Sequence, residues 1–243
     1  QDYAERFDTA WRLVDERYWD LPRLGLDWDA VRAEYEPRAL EAETEAAFYG
    51  VLEAMYDELG DDHSVFVPPE RVEEIRRSYG DLPCLGVFGQ ANAQRLGNLS
   101  FELLGAGADS VGYLALPDLA SPDIAANLRS AVERLEGEGA SAFVLDLRGN
   151  PGGRLVAMMQ AAGVFTRGFL WRTLTHWTLP LPYPALGNPA TDLPLVVLID
   201  SRVNSAAEGL AGALQGSGRA VVVGERSAGN VEAVLPFCLR DGS

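Results

Sequence analysis

An α/β fold is predicted for the larger part of this chain, preceded by an all-helical module, and three patterns predict it. Two runs, Ala142 to Leu147 and Leu193 to Ile199, are almost continuously apolar, as strands covered on both faces by helices are. From Ser110 onward short strand patterns alternate with helical ones. Through the first sixty residues apolar side chains recur at spacings of three and four, which is the helical period. At 243 residues, 47% hydrophobic and 23% charged, the chain can build one large domain or a domain with an appendage, and disorder is excluded as its dominant state.

Each element follows from local pattern. Tyr3, Phe7, Trp11, Val14 and Tyr18 set an amphipathic helix over Tyr3 to Trp19. A second helix runs from Asp27 to Leu40, and a third from Thr44 to Leu59, with Thr44 as its cap. The segment Leu59-Gly60-Asp61-Asp62-His63-Ser64 ends this group. Val65 to Val67 reads as a short strand, and Pro68-Pro69-Glu70 opens a helix through Tyr79. Residues 1–80 are thus expected to form a helical module. Residues 81–109 hold scattered glycines and two possible strands, Cys84 to Phe88 and Leu99 to Leu104, and a domain boundary is placed there. The core, 110–243, reads as strand Ser110 to Leu116, helix Ser121 to Leu135, strand Ala142 to Leu147 and helix Gly153 to Phe165. Strands around Leu170 to Thr178 and at Leu193 to Ile199 follow, then helix Ser205 to Leu214 and strands Ala220 to Val223 and Val231 to Leu239.

Composition narrows the function. A formal net charge of -16 opposes phosphate backbones and anionic lipid surfaces, so nucleic acid is not expected as a partner. The longest apolar run falls well short of the roughly 20 residues that cross a bilayer, so no membrane span is expected. Gln1 to Arg12 has no charged start followed by an apolar core, so no signal peptide is expected. The two cysteines, Cys84 and Cys238, either pair or stay free; they are too few for a disulfide scaffold or a cysteine-built zinc site, and no metal or cofactor is expected. All 20 basic residues are arginine; there is no lysine.

Ligands on open α/β sheets gather where strands run out into helix N-termini, and two such junctions stand out. In Asp146-Leu147-Arg148-Gly149-Asn150-Pro151-Gly152-Gly153 the glycines let the backbone approach a ligand and aim N–H groups at a developing negative charge. A plain tight turn is the competing reading. In Asp200-Ser201-Arg202-Val203-Asn204-Ser205-Ala206-Ala207-Glu208 the serine at 205 can act as a nucleophile at a helix start. There the competing reading is a capping box between Ser205 and Glu208. A serine nucleophile needs a base, and only His63 and His176 are available. His63, in a sharp loop, is favoured over His176, which falls in an alternating strand where a solvent-facing imidazole is ordinary.

Taken in order, several segments resemble the C-terminal processing and tail-specific serine peptidases, a family that includes the tricorn core peptidases. They are Asp27-Trp28-Asp29, Leu59 to Ser64, Val111-Gly112-Tyr113-Leu114, Asp146 to Gly153, Ser205 to Glu208 with Ala211 to Gln215, and Gly218 to Glu225. The resemblance implies a crotonase-like or ClpP-like α/β spiral core and hydrolysis of peptide bonds in unfolded polypeptides or peptides through an acyl-enzyme. One branch of the family uses a lysine at the position that falls here on Asn230, and this chain has no lysine. The tricorn-like branch uses a histidine in the segment matching Asp62-His63-Ser64, which makes His63 the general base. Ser205 is then the nucleophile, and the N–H groups of Ala206 and of Gly153 or Gly152 hold the oxyanion. The third catalytic residue of that branch lies farther downstream than Ser243, so the sequence reads as truncated at its C-terminus. The PDZ module usual in the family has no room in residues 81–109; Leu85-Gly86-Val87 matches its beginning and Arg95 to Phe101 its end, so it is reduced or missing. The resemblance implies a place in the cell envelope or outside the cell, with the cytoplasm of tricorn-like relatives as the alternative. No oligomeric state follows from the sequence.

Two other readings compete. One is a catalytically inactive peptide-binding or scaffold protein of the same fold, with Ser205 only a cap. The other, a crotonase-type acyl-CoA enzyme, shares the glycine loop but has no need of the Ser-Ala-Ala-Glu junction, and the acidic charge disfavours a polyanionic cofactor.

Overall fold

The computed structural model of the chain describes residues 2–60, 64–79, 96–174, 179–231 and 236–243. The chain divides into two compact units: one comprises 1–89, 174–181 and 234–243, and the other 90–173 and 182–233. Among the described residues no helix is long and apolar enough to cross a membrane.

The first unit is helical: α1 (Tyr3–Arg17), α2 (Leu21–Leu24), α3 (Trp28–Leu40), α4 (Glu45–Asp57) and α5 (Pro69–Tyr79). Short polar side chains start three of these by accepting a free amide of the first turn: Asp2 from Glu5, Asp27 from Ala30, and the expected Thr44 from Ala47. Phe7, Phe48, Leu52 and Met55 form the fully buried centre, with Tyr3 stacked on Phe48 at 4.4 Å. Trp11 and Trp28 each donate the indole N–H to the other's carbonyl, at 3.0 and 3.1 Å, so both rings are buried with their polar groups satisfied. Arg6 lies over the Phe48 ring and is paired to Glu45 at 2.7 Å and to Asp241 at 2.6 Å, which anchors the C-terminal segment to these helices. The short strand expected at Val65 to Val67 is not formed; Phe66 is apolar because it packs into the helical core beside Tyr49, not because it pairs in a sheet.

The second unit carries the α/β fold. Strands β1 (Ser100–Leu104), β2 (Val111–Ala115), β3 (Ala142–Asp146), β4 (Phe169–Thr173), β5 (Leu181–Pro184), β6 (Leu195–Ile199) and β7 (Val221–Gly224) alternate with helices α6 (Ile124–Gly137), α7 (Leu155–Gly163) and α8 (Ala206–Gly216). The main sheet has the order β1-β2-β3-β6-β7, and β4 pairs with β5 in a separate ribbon. In this sheet β1 is antiparallel to β2, while β2, β3, β6 and β7 are parallel, joined by α6, the α7 to β5 segment, and α8. Leu114, Phe143, Leu145 and Val197 are buried with Leu128, Met158, Leu210 and Leu214 of the helices. The continuous apolar runs of β3 and β6 are not buried on both faces as expected. Burial alternates: Phe143 and Leu145 are buried while Val144, Val196 and Leu198 are half-buried, because neighbouring side chains point to opposite faces. β5, flanked by prolines, escaped the pattern reading. Of the strand expected at Val231 to Leu239, residues 232–235 lie outside the described residues and the others belong to no named strand. Cys238 is disulfide-bonded.

Candidate active site

Because β3 and β6 are parallel neighbours, the two junctions singled out by sequence leave the sheet side by side. They are stitched together by backbone groups. Gly149 N–H donates to Asp200 Oδ1 at 2.8 Å, and Asn204 N–H donates to the Asn150 carbonyl at 3.0 Å. Asn150 is completely buried and spans three chain segments: its Nδ2 donates to the Leu116 carbonyl at 2.9 Å and its Oδ1 accepts Gly152 N–H at 2.8 Å.

Two Asp-x-Arg turns rim these loops. Asp146 receives the Arg148 amide and guanidinium and the Tyr113 hydroxyl. Asp200 receives the Arg202 amide and guanidinium as well as Gly149 N–H. Burial opposes the charge on each carboxylate. The donors outweigh it, so both carboxyls titrate below their ordinary value.

Ser205 stands between β6 and α8 with φ 51° and ψ -122°, the one non-glycine residue with positive φ among those described. A side chain there is strained, and something must hold it. Glu208, buried within the first turn of α8, does so: its Oε2 accepts the amides of Ser205 and Asn230 at 2.9 Å each, and its Oε1 accepts Gly229 N–H at 2.7 Å. The residues of the expected capping box are therefore in place, and the arm from Ser205 N–H to Glu208 closes it. A hydroxyl that caps only accepts, so its proton remains available for transfer; capping and nucleophilic roles do not exclude one another.

The glycine loop fits against this serine. A Cβ on Gly152, whose φ is 95°, would stand 2.7 Å from the Asn204 carbonyl oxygen and 2.9 Å from the Ala206 nitrogen. A Cβ on Gly153, at φ 148°, would stand 2.4 Å from the Leu119 carbonyl carbon. Neither position admits any other residue. The Gly152 N–H is taken by Asn150, whereas the Gly153 and Ala206 amides donate no hydrogen bond among the described residues. His63 and His176 both lie outside the described residues. Sequence reasoning missed Asn150, whose partners are main-chain groups and leave no motif, and the bond from Gly149 N–H to Asp200 that ties the two loops together.

Comparison with known proteins now bears on this loop pair. The profile of peptidase family S41 matches residues 110–243, the segment that holds both junctions, and the tricorn protease C1 domain matches residues 1–57. This chain belongs to peptidase family S41. A carboxyl-terminal-processing protease of Picosynechococcus is 38% identical over 136 residues, 56% of this S41 chain and 33% of that protein. The chloroplastic carboxyl-terminal-processing peptidase 1 of Arabidopsis thaliana is 34% identical over 170 residues, 68% of this chain and 34% of that one. The chain spans about a third of the length of these curated relatives. Among solved structures, the photosystem II D1 C-terminal processing protease superposes with a TM-score of 0.73 at 22% identity, over 95% of this chain and 82% of that one, which shows the shared S41 fold.

Proposed function

We propose that this chain carries the catalytic core of a serine peptidase that hydrolyses peptide bonds in polypeptide substrates, with Ser205 as nucleophile and His63 as general base. The observation that carries the reading is the strained Ser205 at the head of α8, its backbone clamped by Glu208 and followed by the Ala206 amide, which donates no hydrogen bond among the described residues. Family S41 membership and the absence of any lysine support a histidine base. In the reaction the His63 imidazole takes the Ser205 hydroxyl proton as Oγ bonds to the substrate carbonyl carbon. The carbonyl electron pair moves onto oxygen, where the Ala206 and Gly153 N–H groups receive it. As the pair returns, the C–N bond breaks and the imidazolium gives its proton to the departing amine. Water, deprotonated by the same imidazole, then releases the acyl group and restores the hydroxyl. In this reading Gly152 serves by its missing side chain, because its amide is occupied. The disulfide at Cys238 supports an oxidising workplace, in the cell envelope or outside the cell.

A fluorophosphonate probe tests the proposal. Mass spectrometry should find the adduct on Ser205, Ser205→Ala should not label, and His63→Ala should label and cleave a peptide substrate far more slowly. A folded protein that neither labels nor cleaves, yet retains peptides, would establish the inactive peptide-binding reading instead.

A further inference from the structure

Asp118 lies in the turn after β2, is 1% exposed, and has no ion pair among the described residues. Its carboxylate is spent on main-chain amides. Oδ2 accepts Leu96 N–H at 2.6 Å and Gly97 N–H at 3.2 Å, and Oδ1 accepts Ala120 N–H at 2.9 Å. A carboxylate is the one side chain that offers acceptors in both directions without presenting a donor of its own.

The residue between these anchors is Leu119, and the glycine loop is built on it. Leu119 N–H donates to the Gly152 carbonyl at 2.8 Å, Arg154 N–H donates to the Leu119 carbonyl at 3.0 Å, and Leu119 forms a parallel bridge with Gly153. The Gly153 peptide therefore has its orientation set by the Leu119 backbone, while Leu119 is held in place through its neighbours by Asp118. One carboxylate thus connects the chain at residues 96 and 97 to the Gly152–Gly153 peptide, whose N–H is one of the two donors of the proposed reaction.

We propose that Asp118 is a positioning residue of the peptidase reaction, registering the backbone of residues 96 and 97 with the glycine loop that presents the Gly153 N–H. The proposal rests on the serine-peptidase reading above.

The test compares the whole chain with Asp118→Asn, which keeps one acceptor but turns an NH2 group toward amide donors, and with Asp123→Asn, an exposed neighbour, as control. Active sites are titrated with fluorophosphonate, so that kcat is expressed per competent Ser205. Losing an oxyanion donor outright costs about 100- to 1,000-fold, so a displaced donor is expected to lower kcat by roughly 10- to 100-fold. A peptide aldehyde, which forms a tetrahedral adduct, should weaken by a similar factor while KM stays within about twofold. Amide exchange should accelerate together in peptides covering 96–97 and 152–154. A kcat per titrated site equal to wild type, with only the unfolding midpoint lowered, would reduce Asp118 to a structural residue and overturn the proposal. Faster exchange confined to 96–97 would overturn the link itself. If the wild-type chain fails to label at Ser205, the peptidase reading falls and its kinetic consequence with it, and the exchange pattern alone then decides whether the link exists.

Discussion

Replacing Ser205 by glycine should leave the protein more stable than replacing it by alanine, although both changes remove the proposed nucleophile. At φ 51° and ψ -122° the Ser205 backbone occupies ground where a Cβ meets its own main chain. A non-glycine residue held in such a region costs about 1–3 kcal/mol. Glycine removes that strain but loses more entropy on folding, which takes back about 0.4–1 kcal/mol. The expected difference is then roughly 0.5–2 kcal/mol in favour of Ser205→Gly. Urea unfolding of the two variants, compared by midpoint once equal slopes are established, measures it directly. Alanine matching or exceeding glycine would mean that position 205 stores no strain and that Glu208 has no strained turn to clamp.

Glu208→Ala strips the half-buried amides of Ser205 and Asn230 of their acceptor, and with Gly229 exposed to water the expected loss is about 2–4 kcal/mol by urea unfolding, against roughly half that for Glu208→Gln, which keeps one oxygen. Asp146 and Asp200 titrate below their ordinary value, so near acid the unfolded chain binds more protons than the native one. Their stabilisation should be complete above about pH 4 and disappear as pH falls through the lowered values, and the acid limb of unfolding midpoint against pH should flatten in an Asp146→Asn, Asp200→Asn double variant. Asn230 and Ser205 donate their amides to the same Glu208 oxygen, so the backbone of a lysine at 230 would start close to that of Ser205. Asn230→Lys placed in a His63→Ala background should raise kcat/KM above that of His63→Ala alone, with an optimum more alkaline than wild type; no recovery in a folded protein would remove this loop as a place from which a base can act.

What the sequence displays and what it hides divide along a physical line. Helix and strand periods were legible because side-chain burial repeats along the chain, and the cap Thr44 was legible because capping is local. The glycine loop and Ser205 were legible because glycine and serine are chosen there for what their side chains lack or carry. The bonds of Asn150, Asp118 and Asp200 were not, since each grips peptide N–H or C=O groups that every residue possesses, some 20 to 50 positions away, so no partner type marks them. Phe66 misled for a related reason: an apolar residue between valines signals burial, and only packing tells a helix layer from a sheet partner. Arg6 and Asp241, 235 positions apart, pair through charges common all over this acidic chain. The strain at Ser205 belongs to a third class. Conformation alone would call for glycine there, and the hydroxyl that the proposed reaction requires forbids it, so the conflict surfaces only when the backbone angle and the side chain are seen together. Glu208 and Gly152 are where that conflict is resolved: one supplies the acceptor that keeps the turn from relaxing, the other the empty space against which the turn is pressed.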